Sequence, residues 1–182
     1  MAIPIGLHGK VAMVTGGGRG IGKAIASAFA RSRVKVMIAD IDEVIGRQAE
    51  KEIVGQGYEA RFIRTDVTSS NSIRDAVETS TRIFGTLDIA VNNVGVNGKF
   101  MPISELDETE WSKVINTNLS SVAYSLKWEL RQMIKQGRRG SIINISSSAA
   151  LKTRPIMSAY CTSKLGVAAL TTSCKGKRLQ PD

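Results

Sequence analysis

Tyr160 and Lys164 stand four residues apart in the run Tyr160-Cys161-Thr162-Ser163-Lys164. In a helix that spacing puts both side chains on one face, close enough for an ammonium to act on a phenol. An unperturbed phenol titrates near ~10 and is a poor base at neutral pH unless a cation stabilises the phenolate. Such a pair could take a proton from a reacting oxygen and return it. Upstream, the apolar run from Gly140 to Ile145 delivers Ser146, Ser147 and Ser148, hydroxyls able to donate to an oxygen on which negative charge develops. Neither feature is specific alone. A tyrosine and a lysine at this spacing occur in many helices, and a polar cluster at a strand end needs no chemistry.

The stretch around which the other elements are arranged is Val11 to Gly22, VAMVTGGGRGIG. An apolar run breaks at Thr15 into Gly16, Gly17 and Gly18, then Arg19, then Gly20-Ile21-Gly22 at the head of a helical pattern. This reads as a strand, a tight turn and a helix start. Glycines let backbone come close to a ligand, and a helix N-terminus offers unpaired N–H groups and a positive dipole end to an anion, so a pyrophosphate fits. The spacing is T-G-x-x-x-G-x-G, carried by Thr15, Gly16, Gly20 and Gly22, and not the commoner G-x-G-x-x-G. A glycine turn that merely joins a strand to a helix is the other reading of these residues.

Beyond the turn, Ile21, Ile25, Ala28 and Phe29 recur at helical spacing up to Ser32, and Val34 to Ala39 returns to a continuous β-type run. That second strand ends at Asp40, 18 residues past Gly22. An acidic side chain there could accept hydrogen bonds from ribose hydroxyls and repel a 2′-phosphate, or it could cap the next helix. Helical patterns over 42–57 and 69–84 alternate with strands over 59–65 and 87–91. Asp66-Val67 closes the third strand, and the fourth runs into Asn92-Asn93-Val94-Gly95, a sequence suited to a turn. Residues 105–136 are mostly one long helical pattern, acidic at the start and basic at the end as the helix dipole favours. Within it Asn116-Thr117-Asn118 is a polar cluster; an asparagine amide inside a helix can distort it locally and hold a water, or simply be satisfied there. The fifth strand, 140–145, is apolar enough to expect cover on both faces.

Composition bounds what these elements can be. The 182 residues, 42% of them hydrophobic, suffice for one domain with a core and are too few for two. Cys161, Cys174 and His8 have no spacing that suits zinc or a disulfide framework, so no metal is expected. The first residues lack the basic-then-apolar pattern of a leader, and no run approaches the length that spans a bilayer; a soluble, cytoplasmic protein without a membrane partner is expected. The net charge of +9 lies wholly in the last third: residues 1–129 carry 15 basic and 15 acidic side chains, residues 130–182 carry 10 and one. Nucleic-acid binding would cluster such charge with aromatics, and after Trp128 only Tyr160 is aromatic, so no nucleic-acid partner is expected. The imbalance fits better a chain whose acidic complement lies in sequence outside it.

Together, the T-G-x-x-x-G-x-G turn, the Tyr160–Lys164 pair and a serine 13 residues before Tyr160 make the chain resemble the short-chain dehydrogenase/reductase family from Lys10 to about Leu170. The resemblance implies a Rossmann-like, doubly wound parallel α/β sheet and reversible hydride transfer between nicotinamide and a small-molecule secondary alcohol or its carbonyl. It makes Tyr160 the general acid/base, Ser147 the donor to the carbonyl oxygen, Lys164 the group that lowers the tyrosine pKa and holds ribose hydroxyls, and Asn118 the residue that positions a proton-relay water. It places the cofactor on Thr15, Gly16, Gly18, Arg19, Gly20, Ile21 and Gly22, with Asp40 at the ribose, Asp66 and Val67 near adenine, Asn93 and Gly95 backing the nicotinamide side, and Tyr160 and Lys164 beyond. Asp40 makes NAD the expected cofactor and NADP the less favoured one. Two departures stand out: Val94 replaces the usual alanine, and Arg31-Ser32-Arg33 stands where relatives usually end the first helix with glycine.

Family members continue past the Tyr–Lys helix into a sixth strand, a substrate-covering segment and a seventh strand. The chain is therefore expected to be a C-terminally truncated member lacking the last strands, with 171–182 a divergent tail and the fifth strand an exposed edge that invites pairing. Relatives usually pair through the Tyr–Lys helix, so a homo-oligomer is compatible with the sequence. Two functions stay open: an NAD(P)-dependent oxidoreductase, and a catalytically silent domain that binds only nucleotide or a partner chain.

Overall fold

The computed structural model describes residues 6–174. Five strands, β1 (Val11–Thr15), β2 (Lys35–Asp40), β3 (Ala60–Arg64), β4 (Ile89–Asn92) and β5 (Ser141–Asn144), form a parallel sheet in the order β3-β2-β1-β4-β5. The helices are α1 (Gly20–Arg31), α2 (Glu43–Gly55), α3 (Ser70–Phe84), α4 (Glu108–Ile115), α5 (Ser121–Lys135) and α6 (Ser158–Ser173). The apolar runs of β1 and β2 are continuous because both faces are covered. Ala12, Val14, Val36 and Ile38 pack against Ala26 and Ala30 of α1 and Ala49 and Ile53 of α2. Met13, Met37 and Ala39 point the other way, toward Ala76 and Val77 of α3 and Met133 of α5. This is the expected doubly wound architecture.

Register then places the functional turn. Thr15 is paired with Ala39, so β1 and β2 end side by side and the glycine turn emerges next to Asp40. Strand order reverses between β1 and β4, which opens a crevice at their C-terminal ends. The caps are local and strong: Asp42 accepts the N–H groups of Val44 and Ile45 at the start of α2, and Ser69 accepts that of Ser72 at the start of α3. Asp42, not Asp40, is thus the cap of the second helix.

Three features differ from the simple pattern. The long helical run is interrupted by a π turn over Asn116–Ser120, between α4 and α5, where Asn118 is drawn into hydrogen bonds with other segments. β5 is not fully covered on both faces: Ile142 packs against the α5 and α6 side, whereas Ile143 on the other face is 43% exposed. The first helix ends at Ser32, and Arg33 takes up the left-handed conformation, φ 61°, that a glycine would adopt without strain. Of the tail expected over 171–182, residues 171–173 belong to α6, and 175–182 lie outside the described residues. Among the described residues no helix is long and apolar enough to cross a membrane.

Candidate active site

The crevice has a volume of about 440 Å³ and is lined by Gly16, Arg19, Ile21, Asp40, Ile41, Thr65, Asp66, Val67, Thr68, Asn93, Val94, Gly95, Val96 and Thr117. At its centre the glycine turn is tied to the end of β4. Thr15 Oγ1 donates to the Val91 carbonyl at 3.3 Å and accepts the Asn93 N–H at 3.0 Å, while Asn93 Nδ2 donates to the Thr15 carbonyl at 3.0 Å. Gly16 has φ 63°, and a side chain at Gly22 would overlap the Gly16 carbonyl, so the turn closes directly onto the helix backbone. Arg19, the residue before α1, makes no side-chain cap, which leaves the first-turn N–H groups to face an anion.

At one end of the crevice Asp40 Oδ2 accepts the Gly18 N–H at 2.9 Å and Oδ1 accepts the Asp42 N–H at 3.1 Å. Each oxygen keeps a second lone pair for a hydroxyl donor. Asp66 Oδ1 accepts both the N–H and the hydroxyl of Thr68, which fixes the loop after β3; it does not cap α3.

Ser147, Asn118, Tyr160 and Lys164 lie outside that lining, on the loop after β5, the π turn and α6. Ser147 is extended and accepts the Ala149 N–H at 3.1 Å, at the head of a short 3₁₀ turn over Ser148–Ala150. Ser146 instead donates to the Lys164 carbonyl at 2.8 Å. Lys164, only 4% exposed, donates from Nζ to the Ile145 carbonyl at 2.8 Å, and its Nζ lies 6.0 Å from the centre of the Tyr160 ring. Burial pulls the Lys164 ammonium below the usual lysine range. Asn118 is fully buried: Oδ1 accepts the Val96 N–H at 2.8 Å, and Nδ2 donates to the Val96 carbonyl at 2.9 Å and to Ser163 Oγ at 3.0 Å. Ser163 Oγ donates in turn to the Tyr160 carbonyl at 2.7 Å. The π turn, the segment after β4 and α6 are thereby bolted together.

The fold gathers Gly16, Arg19, Ile21, Asp40, Asp66, Val67, Asn93 and Gly95 on the crevice wall; Thr15, Gly18, Gly20 and Gly22 build the turn behind it. Asn118 and Lys164 both approach Gly95, the Tyr160 ring lies 6.0 Å from Lys164 Nζ, and Ser147 sits on the separate loop after β5. Sequence reasoning gave no role to Ser163, although it lies inside the Tyr–Lys pentapeptide, and passed over Val96, the neighbour of Gly95. It also passed over Glu110, whose Oε1 accepts the Lys99 N–H at 2.9 Å and pins the loop after Gly95. A glutamate in a helical pattern reads as a solvent-facing residue, so no signal marked it.

A family model described as short chain dehydrogenase matches residues 10–179. The chain is 45% identical over 166 residues to a short chain dehydrogenase/reductase of Aspergillus oryzae and 36% identical over 166 residues to glucose 1-dehydrogenase 2 of Bacillus subtilis, in each case over 91% of this chain and 64% of the relative. Among solved structures, NAD+-bound xylitol dehydrogenase superposes with a TM-score of 0.89 at 35% identity, over 92% of this chain and 64% of that one. The chain thus spans 64% of the length of these relatives.

Proposed function

Because the chain belongs to the short chain dehydrogenase family, we propose that it is an NAD-dependent oxidoreductase that interconverts a secondary alcohol and its carbonyl, with Tyr160 moving the proton. The observation that carries this reading is the crevice between the ends of β1 and β4, with the uncapped start of α1 on one wall and Gly95, against Lys164, on the other. The donor set suits a dinucleotide. The turn from Gly16 to Gly22 and the first N–H groups of α1 would hold the pyrophosphate, and Asp40 would accept hydrogen bonds from the adenosine ribose. A 2′-phosphate would meet the Asp40 charge, which supports NAD over NADP. Asp66 and Val67 would border the adenine, and Asn93 and Gly95 the nicotinamide end.

When bound, the nicotinamide supplies the site that accepts or gives the hydride. The protein's own groups handle the proton and the developing charge. Tyr160 gives a proton to the carbonyl oxygen in reduction and takes it from the alcohol in oxidation. Ser147 donates a hydrogen bond to the same oxygen, where negative charge builds up. Lys164 keeps a positive charge beside the phenol. Asn118 holds the Gly95–Val96 segment against α6; a relay water there would have to use the second lone pair of Oδ1 or the opened π-turn backbone, because both amide hydrogens are taken.

The test is a titration of NADH and NADPH into the chain, followed by a screen of secondary alcohols. Saturable binding that favours NADH is expected, and Asp40→Ala should reduce that preference roughly tenfold, in line with loss of one charged hydrogen-bonding partner. Tyr160→Phe should lower turnover roughly 100-fold or more while NADH binding holds. A folded chain that binds neither nucleotide overturns the proposal; binding without turnover of any alcohol would favour a silent nucleotide-binding domain.

A further inference from the structure

Gly95 is a glycine for a reason its own backbone does not supply. Its φ lies outside the left-handed region, so any residue could adopt the conformation. Space is what a side chain would have to contest. A Cβ built there would stand 3.1 Å from Lys164 Nζ, 3.6 Å from Lys164 Cε and 3.5 Å from Asn118 Oδ1. The first of these is closer than a methyl and an ammonium tolerate unless one of them moves.

Both sides of that contact are braced. On the lysine side, Nζ is buried and hydrogen-bonded to the Ile145 carbonyl, and the Lys164 backbone carbonyl accepts from Ser146. On the glycine side, the next residue, Val96, has both its N–H and its carbonyl held by the amide of Asn118, which is itself anchored on Ser163 of α6. The same helix that carries Lys164 therefore fixes the ledge opposite it, and the width of the slot is set by the Asn118–Ser163 bridge. Of the two walls, the lysine tip is the softer: one hydrogen bond holds it, against two for the ledge.

We propose that Gly95 is a positioning residue for Lys164, its missing side chain leaving the slot in which the ammonium reaches the Ile145 carbonyl at the edge of the crevice. The proposal rests on the reading of Lys164 as the cation beside Tyr160, but its geometry can be tested without turnover. A methyl at 95 makes Nζ give way by a few tenths of an ångström, which weakens its hydrogen bond to the Ile145 carbonyl, the contact that favours the charged form.

The experiment is a double-mutant cycle on the full chain: Gly95→Ala, Lys164→Ala and the pair, with Gly55→Ala, whose Cβ would meet nothing within 4 Å, as the control for adding a methyl. Gly95→Ala should lower the unfolding midpoint by about 3 °C or more beside Lys164, and should have no such effect in the Lys164→Ala background, where the slot is vacant. The Lys164 ¹⁵Nζ titration, identified by its absence in Lys164→Ala, should shift downward by about half a pH unit in Gly95→Ala. An equal loss of midpoint in both backgrounds, or an unchanged Lys164 titration, overturns the proposal. If Gly95→Ala alone does not fold, the double variant decides: a folded pair supports the slot, an unfolded pair refutes it. A wild-type chain with no oxidoreductase turnover would remove the proposed function and leave this cycle readable.

Discussion

Glu129 on α5 is a carboxyl group with none of its surface exposed and a single hydrogen bond, from Asn92 Nδ2 to Oε2 at 3.0 Å. Its Oε1 and the nearby Asn92 Oδ1 are both buried acceptors without a donor. Burial pushes the Glu129 acid from 4.5 up to about 7, more than the Asn92 hydrogen bond pulls it down. A proton on Oε1 removes the charge from a carboxylate that has only one donor to stabilise it. The folded state thus holds a proton that the unfolded chain releases near 4.5, so this group's contribution is fully present below that pH, declines as pH rises through the interval, and is gone above about 7. The total loss is about 3 kcal/mol. Glu129→Gln replaces the proton with an amide donor that never titrates. Urea unfolding across pH ~5 to ~8 should show the parent losing stability relative to the variant, with the variant the more stable by about 1–3 kcal/mol at the alkaline end. Parallel curves for the two proteins would show that Glu129 is ionised throughout. Nothing in the sequence marked this residue, because a lone glutamate in an amphipathic helix looks like a surface group until the sheet is folded over it. Asp40, by contrast, is singled out in the sequence as a strand-end acid near the glycine turn, and the structure puts it on the crevice wall, hydrogen-bonded to Gly18.

Among the described residues, two non-glycine residues occupy the left-handed region, Arg33 with φ 61° after α1 and Ile156 with φ 58° in the loop before α6. The conformation costs an L-residue about 1–2 kcal/mol, and a β-branched side chain stands at the upper end. Arg33 recovers part of this by lying over the Tyr58 ring at 5.2 Å, a contact that contributes about 0.5–1 kcal/mol at an exposed site. Ile156 is 50% exposed, and its structural contribution is a backbone one: its carbonyl accepts the Met101 N–H at 3.0 Å, joining the loops before α4 and α6. Glycine would keep that hydrogen bond and remove the strain. Ile156→Gly should therefore stabilise the chain by about 1 kcal/mol after allowing for the looser unfolded state, whereas Arg33→Gly should come out near zero. Chemical denaturation of both variants checks the contrast, and equal gains would mean that the stacking of Arg33 on Tyr58 adds nothing. The Arg33 position was foreseeable from the absence of a helix-ending glycine. The strain at Ile156 was not, because nothing in PIMSAY announces a left-handed residue. The π turn was half legible: the asparagines hinted at distortion, but only their partners Val96 and Ser163 dictated its form.

Among the described residues, the parallel sheet carries helices over β1, β2 and β4, and β5 is its last strand, packed by Ile142 against α5 and α6. The N–H groups of Ser141 and Ile145 donate to Asp88 and Asn92 on the β4 side, so the backbone groups of Ile142 and Asn144 face away from the sheet. Among the described residues none of the strands pairs with that edge, and Ile143 lies exposed beside it. An uncharged apolar edge of this kind promotes strand-to-strand association, while a net charge of +9 opposes it. Screening should decide between the two. Sedimentation velocity is expected to show larger species growing with salt, and Ile143→Lys should return the chain to monomer at every ionic strength. A parent that stays monomeric in high salt would mean that the edge is protected by something else.

The sequence by itself determined which residues could meet at the site, because glycine spacing, strand-end polarity and the four-residue interval between Tyr160 and Lys164 are local properties of the chain. It also determined the alternation of strands and helices, and with it a parallel sheet. Only the tertiary structure decided how those residues are held. The slot between Gly95 and Lys164, the amide of Asn118 spanning two segments and the burial of Glu129 against Asn92 depend on groups 22 to 69 residues apart being packed within hydrogen-bonding or van der Waals reach. Such contacts arise from the close packing of helices on the sheet, and their distances are set by every side chain in between.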